Sequence, residues 1–230
     1  MEVMNDTETV LQNRSEPRYG GLRLARPAPP DAVPGKRGLD VLLAAIGLLA
    51  ASPVLLAIAL LIKLENPRAP ILFKQVRIGK DGVPFKMYKF RSMVPNAEAL
   101  LEKLASRNEA SGAMFKMKRD PRVTRIGRVL RRTSLDELPQ LWNVMKGEMS
   151  LVGPRPPLPR EVALYGEYEM RRLSVTPGCT GLWQVSGRSS IGFEQMVELD
   201  LKYIQNRGLW LDIKIILRTV KLVFGSKDAY

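Results

Sequence analysis

No histidine occurs among the 230 residues. That excludes His-based triads and His-ligated metal sites, and it leaves carboxylates, Lys, Tyr or Cys to serve as acid or base. Cysteine occurs once, at Cys179. A single thiol builds no disulfide framework, so the chain suits a reducing compartment. Acidic residues are scarce beside basic ones, 23 against 36, which gives a net charge of +13. Such a surplus suits a polyanionic partner: nucleic acid, anionic lipid or a phosphorylated ligand. The length fits one domain, or one domain with an appendage.

The surplus is not spread evenly. Met1–Gly35 holds five of the seventeen prolines, five acidic residues, four basic ones and no sustained apolar period. This composition predicts a disordered tail over residues 1–35. No compact apolar stretch follows Met1, which argues against a signal peptide.

Charge is missing altogether from Val41–Ile62. As a straight helix this run would be roughly 33 Å long, enough to cross a hydrocarbon core of about 30 Å. A membrane segment is therefore expected over residues 36–64. Ser52 and Pro53 sit at its middle. A proline there removes a backbone hydrogen bond and favours a break or kink. Lys36 and Arg37 precede the run, and Lys63, Arg68, Lys74, Arg77 and Lys80 follow it. Basic flanks prefer the cytoplasm. A helix-break-helix hairpin that dips into one leaflet keeps both flanks there; a kinked spanning helix keeps one. The pattern alone leaves both open.

Residues 65–230 read as the catalytic or binding domain. Ile71–Ile78 and Pro84–Phe90 have strand composition about Lys80-Asp81-Gly82, which predicts a β-hairpin. Asn96–Ala110, residues 159–173 and Phe193–Asn206 read as helices. Thr124–Arg132 carries Arg125, Arg128 and Arg132 at near-helical spacing, either a solvated face or a phosphate-binding one. Leu209–Phe224 sets Lys214, Arg218 and Lys221 largely opposite Leu211, Ile215, Ile216, Val220 and Phe224. That pattern fits an interfacial helix or a core-packed one equally.

Thr133–Pro156, TSLDELPQLWNVMKGEMSLVGPRP, carries the chemistry. Asp136 and Glu137 stand side by side just before Pro139. Ser134 and Glu137 have capping-box spacing. Asp136 is the preferred N-cap, because Pro139 then falls in the first turn, where its missing N–H costs nothing. Either choice puts both carboxylates at a helix N-terminus, which favours anions. Downstream, prolines on both sides hold Arg155 extended. A pre-ordered guanidinium suits bidentate phosphate binding. Thr176–Gly181 reads as a loop, and Gly187 would let the backbone approach a ligand beside Arg188.

Five pieces occur in a characteristic order: the apolar run broken at Ser52-Pro53, YKFRSM (Tyr88–Met93), RTSLDELPQLWNVMKGEMSLVGPRP (Arg132–Pro156), PGCTGLWQVSGR (Pro177–Arg188), and ELDLKYIQN followed by LDIKII. Together they resemble the bacterial sugar transferases of the monotopic polyprenyl-phosphate phosphoglycosyl transferase superfamily. The resemblance covers roughly residues 36–225 and implies a minimal catalytic form. It implies an α+β fold, mainly helical: a re-entrant membrane hairpin and a small cytoplasmic catalytic domain with a short β-hairpin and an interfacial amphipathic helix. It also implies residence at the bacterial cytoplasmic membrane, with the Ser52-Pro53 break marking monotopic insertion.

The implied reaction moves a sugar 1-phosphate from a UDP-sugar, with UDP-glucose or UDP-galactose expected first and N-acetylated sugars left open, to undecaprenyl phosphate and releases UMP. It would open the assembly of exopolysaccharide, capsule or O-antigen. By resemblance Asp136 is the nucleophile, forming a covalent phosphosugar intermediate. Glu137 assists, by binding Mg²⁺ or handling a proton, and Asp136 and Glu137 are the implied Mg²⁺ ligands. Lys89, Arg132, Arg155 and Arg188 match the family's basic positions. Membrane lipid is an implied partner and a homodimer is admitted. Two positions depart from the pattern. Thr176 stands where a basic residue is common, and Cys179 where Ile is common.

Two other classes compete. A membrane-tethered basic binding protein would use the arginine run and have no need of Asp136, but no familiar nucleic-acid module occurs, so no nucleic-acid partner is expected. A non-catalytic scaffold would tolerate loss of the acid pair. UMP release separates the enzyme from both.

Overall fold

The computed structural model describes residues 33–104, 117, 120–187 and 191–225. Residues 1–32 of the tail expected over 1–35, residues 105–110 of the helix expected over 96–110, and the candidate Arg188 lie outside that range. Among the described residues the fold is mainly helical, with two small two-stranded sheets.

Helix α1, Lys36–Glu65, holds the apolar run and continues helical through Pro53. The expectation of two helices separated by a non-helical break is corrected here, and the sequence supplies the reason. Proline has no N–H to give the carbonyl four residues back, which is Leu49. The Ser52 hydroxyl donates to the Leu49 carbonyl at 2.7 Å. The serine supplies the donor that the proline lacks, so the helix survives the pair.

Both ends of α1 bind the rest of the chain. At its start, Lys36 Nζ reaches Asp212 Oδ2 at 2.6 Å and the Val152 carbonyl at 3.1 Å. Arg37 donates to the Val144 and Met145 carbonyls, and Asp40 accepts from the Leu151 N–H. At its end, Ile58 and Ile62 pack with Phe90 and Leu130. Glu65 accepts from the Arg125 and Ile126 N–H groups at the start of a later helix. Between these anchors Leu49, Val54 and Leu56 are exposed.

Strands β1 (Leu72–Ile78) and β2 (Pro84–Phe90) form the expected antiparallel hairpin, with Lys89 opposite Phe73. Asp81 and Gly82 take positive φ in the connection, as a tight reversal requires. Helix α2 is Ala97–Leu104, and α3 is Arg125–Thr133. Thr124 caps α3 by accepting from the Gly127 N–H. Gly127 lies so close to Ser92 that a Cβ would come within 2.0 Å of its carbonyl oxygen. That closeness docks α3 on the segment after β2.

Helix α4, Gln140–Lys146, leads into β3, Ser150–Val152. Residues 159–173, read as one helix, form α5 (Pro159–Val162), α6 (Glu167–Met170) and a 3₁₀ turn, Arg171–Ser174. Extended backbone at Gly166 interrupts the run, and Glu169 accepts from the Gly166 N–H to start α6. Part of the expected loop at Thr176–Gly181 is strand β4, Gly178–Thr180, parallel to β3. Then follow α7 (Leu182–Ser186), α8 (Phe193–Asn206) and α9 (Leu209–Gly225).

Helix α9 packs on the core along one stripe and leaves a second stripe exposed. Ile215 is buried with Val152, Val197 and Tyr203, with Leu211 and Ile216 packed against that cluster. Trp210, Ile213, Leu217 and Val220 form a second apolar stripe that is exposed, beside Lys214, Arg218 and Lys221. The cations therefore border an apolar stripe that faces outward, which the sequence pattern had not separated from the core stripe.

Candidate active site

Helix α3 stops at Ser134, whose φ of 57° is left-handed. The chain then makes a 3₁₀ turn, Leu135–Glu137, before α4 begins with Pro139 as its N-cap. The expectation that Asp136 is an N-cap is corrected. The left-handed residue ends one helix before the next can start, and the acids fall on the connecting turn. Asp136 is buried within it, at 7% exposure.

The neighbours treat the two acids differently. Burial drives the Asp136 pKa up, with help from the Glu137 charge, and Lys89 and Arg131 only partly offset it, so Asp136 lies above the usual carboxylate value. Burial also works upward on Glu137. There the Lys89 charge and hydrogen bond outweigh it, with Arg155 and Arg77 adding, so Glu137 lies below the usual value. The Glu137 side chain is nevertheless 44% exposed. Two adjacent carboxylates are thus held in opposed electrostatic environments.

Lys89, at the end of β2, places Nζ 2.7 Å from Glu137 Oε1. Arg155 lies near enough for its charge to act on Glu137 and Arg77. Arg132 is exposed in the last turn of α3, and the charge from this helix that bears on Asp136 is that of Arg131. Arg131 also donates to Ser92 Oγ at 3.0 Å, which ties the helix to the YKFRSM segment.

Arg77 was not singled out from the sequence. It is 5% exposed and donates to the Pro156 carbonyl at 2.9 Å and to Gln75. Burial, then the Arg155 charge, lowers its pKa to about 9, so it stays cationic at neutral pH. Nothing local in LFKQVRI distinguishes it from a surface strand cation. The signal is the proline corner, which arrives 79 residues later.

The Arg155 corner is held backbone to backbone. Gly153 N–H donates to Thr180 O, and Gly178 N–H donates to Pro154 O. A Cβ on Gly178 would meet Gly153 N at 2.0 Å, so only glycine permits this approach. Arg172, paired with buried Asp200, donates to the Arg155 carbonyl at 3.3 Å. Cys179 packs beside the Ala44, Met87 and Met149 cluster, and burial pushes its thiol pKa up. It is a packing residue. The Thr176 carbonyl lies against Gly153.

Among the described residues no three His, Cys, Asp or Glu side chains gather as a metal cage. Asp136 and Glu137 offer two carboxylates on one turn. Mg²⁺ commonly takes one or two carboxylates and completes its shell with phosphate and water oxygens. The pair fits that ion in the presence of a diphosphate.

The bacterial sugar transferase family model matches residues 32–226. The galactosyl transferase CpsE of Streptococcus agalactiae serotype III (strain NEM316) is 49% identical over 195 residues, which is 84% of this chain and 43% of that protein. The undecaprenyl-phosphate galactose phosphotransferase of Salmonella typhimurium (strain LT2) is 43% identical over 199 residues, 85% of this chain and 41% of that one. The exopolysaccharide production protein ExoY of Rhizobium meliloti (strain 1021) is 42% identical over 199 residues, 85% of this chain and 88% of that one. The chain thus spans less than half the length of the first two relatives and most of the length of ExoY. With the match covering all the site residues above, the chain belongs to the bacterial sugar transferase family.

Proposed function

We propose that this chain transfers a sugar 1-phosphate from a UDP-sugar to undecaprenyl phosphate and releases UMP. One observation carries the reading: a buried, upward-shifted Asp136 adjoins a cation-stabilised Glu137, with Lys89, Arg155, Arg77 and Arg131 gathered about them.

An Asp136 carboxylate oxygen attacks the phosphorus that carries the sugar. The phosphoanhydride bond breaks and UMP leaves with the bonding electron pair. A phosphate oxygen of undecaprenyl phosphate then attacks the same phosphorus. The aspartyl–phosphorus bond breaks, which restores Asp136 and forms the polyprenyl diphosphate sugar. A desolvated carboxylate is a stronger nucleophile than a hydrated one, and burial supplies that. Lys89 and Arg155 are placed to offset charge crowding at phosphorus. Bound Mg²⁺ would neutralise the diphosphate, with Asp136 and Glu137 as its protein ligands. Neither chemical step needs a histidine.

Glucose and galactose are the sugars proposed first, with N-acetylated sugars left open, because an Aeromonas hydrophila relative is named for UDP-N-acetylgalactosamine. The relatives' names favour galactose for the Streptococcus and Salmonella proteins, and an Escherichia coli relative is named for UDP-glucose. The product would begin lipid-linked glycan assembly.

The catalytic part sits at the cytoplasmic face, with α1, helical throughout, held on that side of the bilayer. Support comes from the two ends of α1, which dock on one body through Lys36–Asp212 and Glu65–Arg125. A helix that crossed the bilayer would carry one end away from that body. Among the described residues, α1 is the one helix long and apolar enough to cross a membrane. The exposed stripe of α9 would lie on the same surface, its cations toward anionic headgroups.

The test is a panel of UDP-sugars with undecaprenyl phosphate in detergent, read as UMP release, with and without excess chelator. Sugar-phosphate label should be trapped on the wild-type chain and not on Asp136→Asn. No UMP from any sugar, or full turnover in chelator, would remove the activity or the Mg²⁺ role respectively.

A further inference from the structure

Asn143 is fully buried on α4, at 0% exposure, against β2. Its Nδ2 donates to the Lys86 carbonyl at 2.8 Å and to Glu148 Oε2 at 2.7 Å. Its Oδ1 accepts from the Tyr88 N–H at 3.0 Å. Every hydrogen of the amide is used, and the flip assignment is fixed by three partners of unambiguous type.

The geometry on β2 has a specific meaning. One edge of β2 pairs with β1, where Lys86 faces Val76 and Tyr88 faces Lys74. A carbonyl at one residue and the N–H two residues on point to the same side of a strand. Lys86 O and Tyr88 N are the pair that a third strand would engage. Asn143 replaces that strand with one side-chain amide, and so pins β2 along its own direction.

The next residue on β2 is Lys89, whose Nζ reaches Glu137. Glu137 lies on the turn that runs into α4. The same two elements are thus joined twice, at Asn143–β2 and at Glu137–Lys89. Phe85 and Met87 also pack on Val144 and Met149, but apolar contact tolerates sliding, whereas a donor–acceptor pair does not.

We propose that Asn143 is a positioning residue: it fixes the register of β2 against α4 and thereby sets Lys89 on Glu137. This rests on the phosphosugar transfer reading above for its activity readout, and on backbone geometry for a second readout.

The experiment compares Asn143→Ala, Asn143→Asp, Lys89→Met and the double variant Lys89→Met/Asn143→Ala with wild type, in detergent. Asn143→Asp is isosteric and keeps the acceptor for Tyr88, but it offers no donor to Lys86. The apolar cluster should keep both Asn143 variants folded. Expected is a fall in kcat of tenfold or more for Asn143→Ala, and a double variant no slower than Lys89→Met. Losses that multiply in the double variant would mean that Asn143 acts independently of Lys89, and would overturn the proposal. Hydrogen exchange provides the second readout. The Tyr88 amide should exchange at least tenfold faster in Asn143→Ala, or in the near-isosteric Asn143→Leu if the alanine variant does not fold, while amides of the β1–β2 ladder hold their rates and Asn143→Asp, which keeps the acceptor, stays protected. Unchanged Tyr88 exchange overturns the proposal whether or not the wild-type chain turns over a UDP-sugar. Absence of wild-type turnover with the exchange change present would instead remove the functional reading and leave the register claim standing.

Discussion

Lys36 and Asp212 stand 176 residues apart in the chain and 2.6 Å apart in the fold. The pair joins the first turn of α1 to the first turn of α9. Lys36 also holds the Val152 carbonyl, and β3 runs directly from there into the Arg155 corner. Asp212 is 3% exposed and Lys36 18%. Tyr203 lies 2.8 Å from the other Asp212 oxygen.

Lys36→Met should therefore cost more than Asp212→Asn. The first change leaves a buried carboxylate without its cation, a loss of about 3–5 kcal/mol when one member of a buried pair is removed. The second leaves an ammonium with some access to water and with the Val152 carbonyl. Thermal unfolding in detergent reads both, and a smaller drop for Lys36→Met would reverse the assignment of which partner is trapped.

Asp136→Asn should abolish turnover while its unfolding midpoint stays level or rises. The sign follows from the upward shift of the Asp136 pKa. A carboxyl with a raised folded pKa binds its proton more tightly when folded. Above that pKa the native state carries a buried charge that the unfolded chain would hydrate, so ionised Asp136 destabilises the fold. The neutral amide removes that cost. A clear fall in midpoint would show that the charge is structural.

Much of this was legible beforehand because it is local. The β-hairpin, α3, α8 and α9 follow from strand composition and helical spacing. The acid pair, Lys89 and Arg155 follow from motif order. What escaped depends on distant partners. The Asp136 N-cap failed because a left-handed Ser134 ends α3, and α4 begins only after another turn. Residues 159–173 failed as one helix because Gly166 is extended. Arg77 and Asn143 carry no local mark. Their roles come from Pro156 and from β2, which sequence spacing does not bring near.

Arg155→Lys should slow turnover by about tenfold or more, equivalent to about 1.4 kcal/mol of barrier. A point ammonium keeps the charge but not the planar fork. The corner is rigid, so the shorter reach cannot be recovered by sliding the backbone: Gly153 and Gly178 are in contact with no room for a methyl group. UMP release measures the rate, and wild-type kinetics would reduce the corner to a linker.

The arrangement of α1 makes a prediction about sides of the membrane. Both ends dock on one body, so residues before and after the helix should share the cytoplasmic face. Single cysteines placed near residue 20 and residue 225, in a Cys179→Ser background, can be labelled in intact inner-membrane vesicles. Both should show one accessibility. Opposite accessibility would mean a spanning helix, even if the enzymatic reading survived. Pro53→Ala probes the cause. It restores the N–H that Leu49 lacks, so the Ser52 hydroxyl is no longer needed there. The helix is already unbroken at Pro53, so the substitution removes only the proline's tendency to bend it, leaving a run from Val41 to Ile62 of roughly 33 Å that is long enough to span. The segment before it is near neutral and can cross, whereas the basic body stays inside. Pro53→Ala should therefore move the residue 20 label to the opposite side in a measurable fraction of molecules. If both labels stay together in that variant, the docked ends of α1, rather than its proline, hold it in one leaflet, and Lys36→Met combined with Pro53→Ala becomes the pair that releases it.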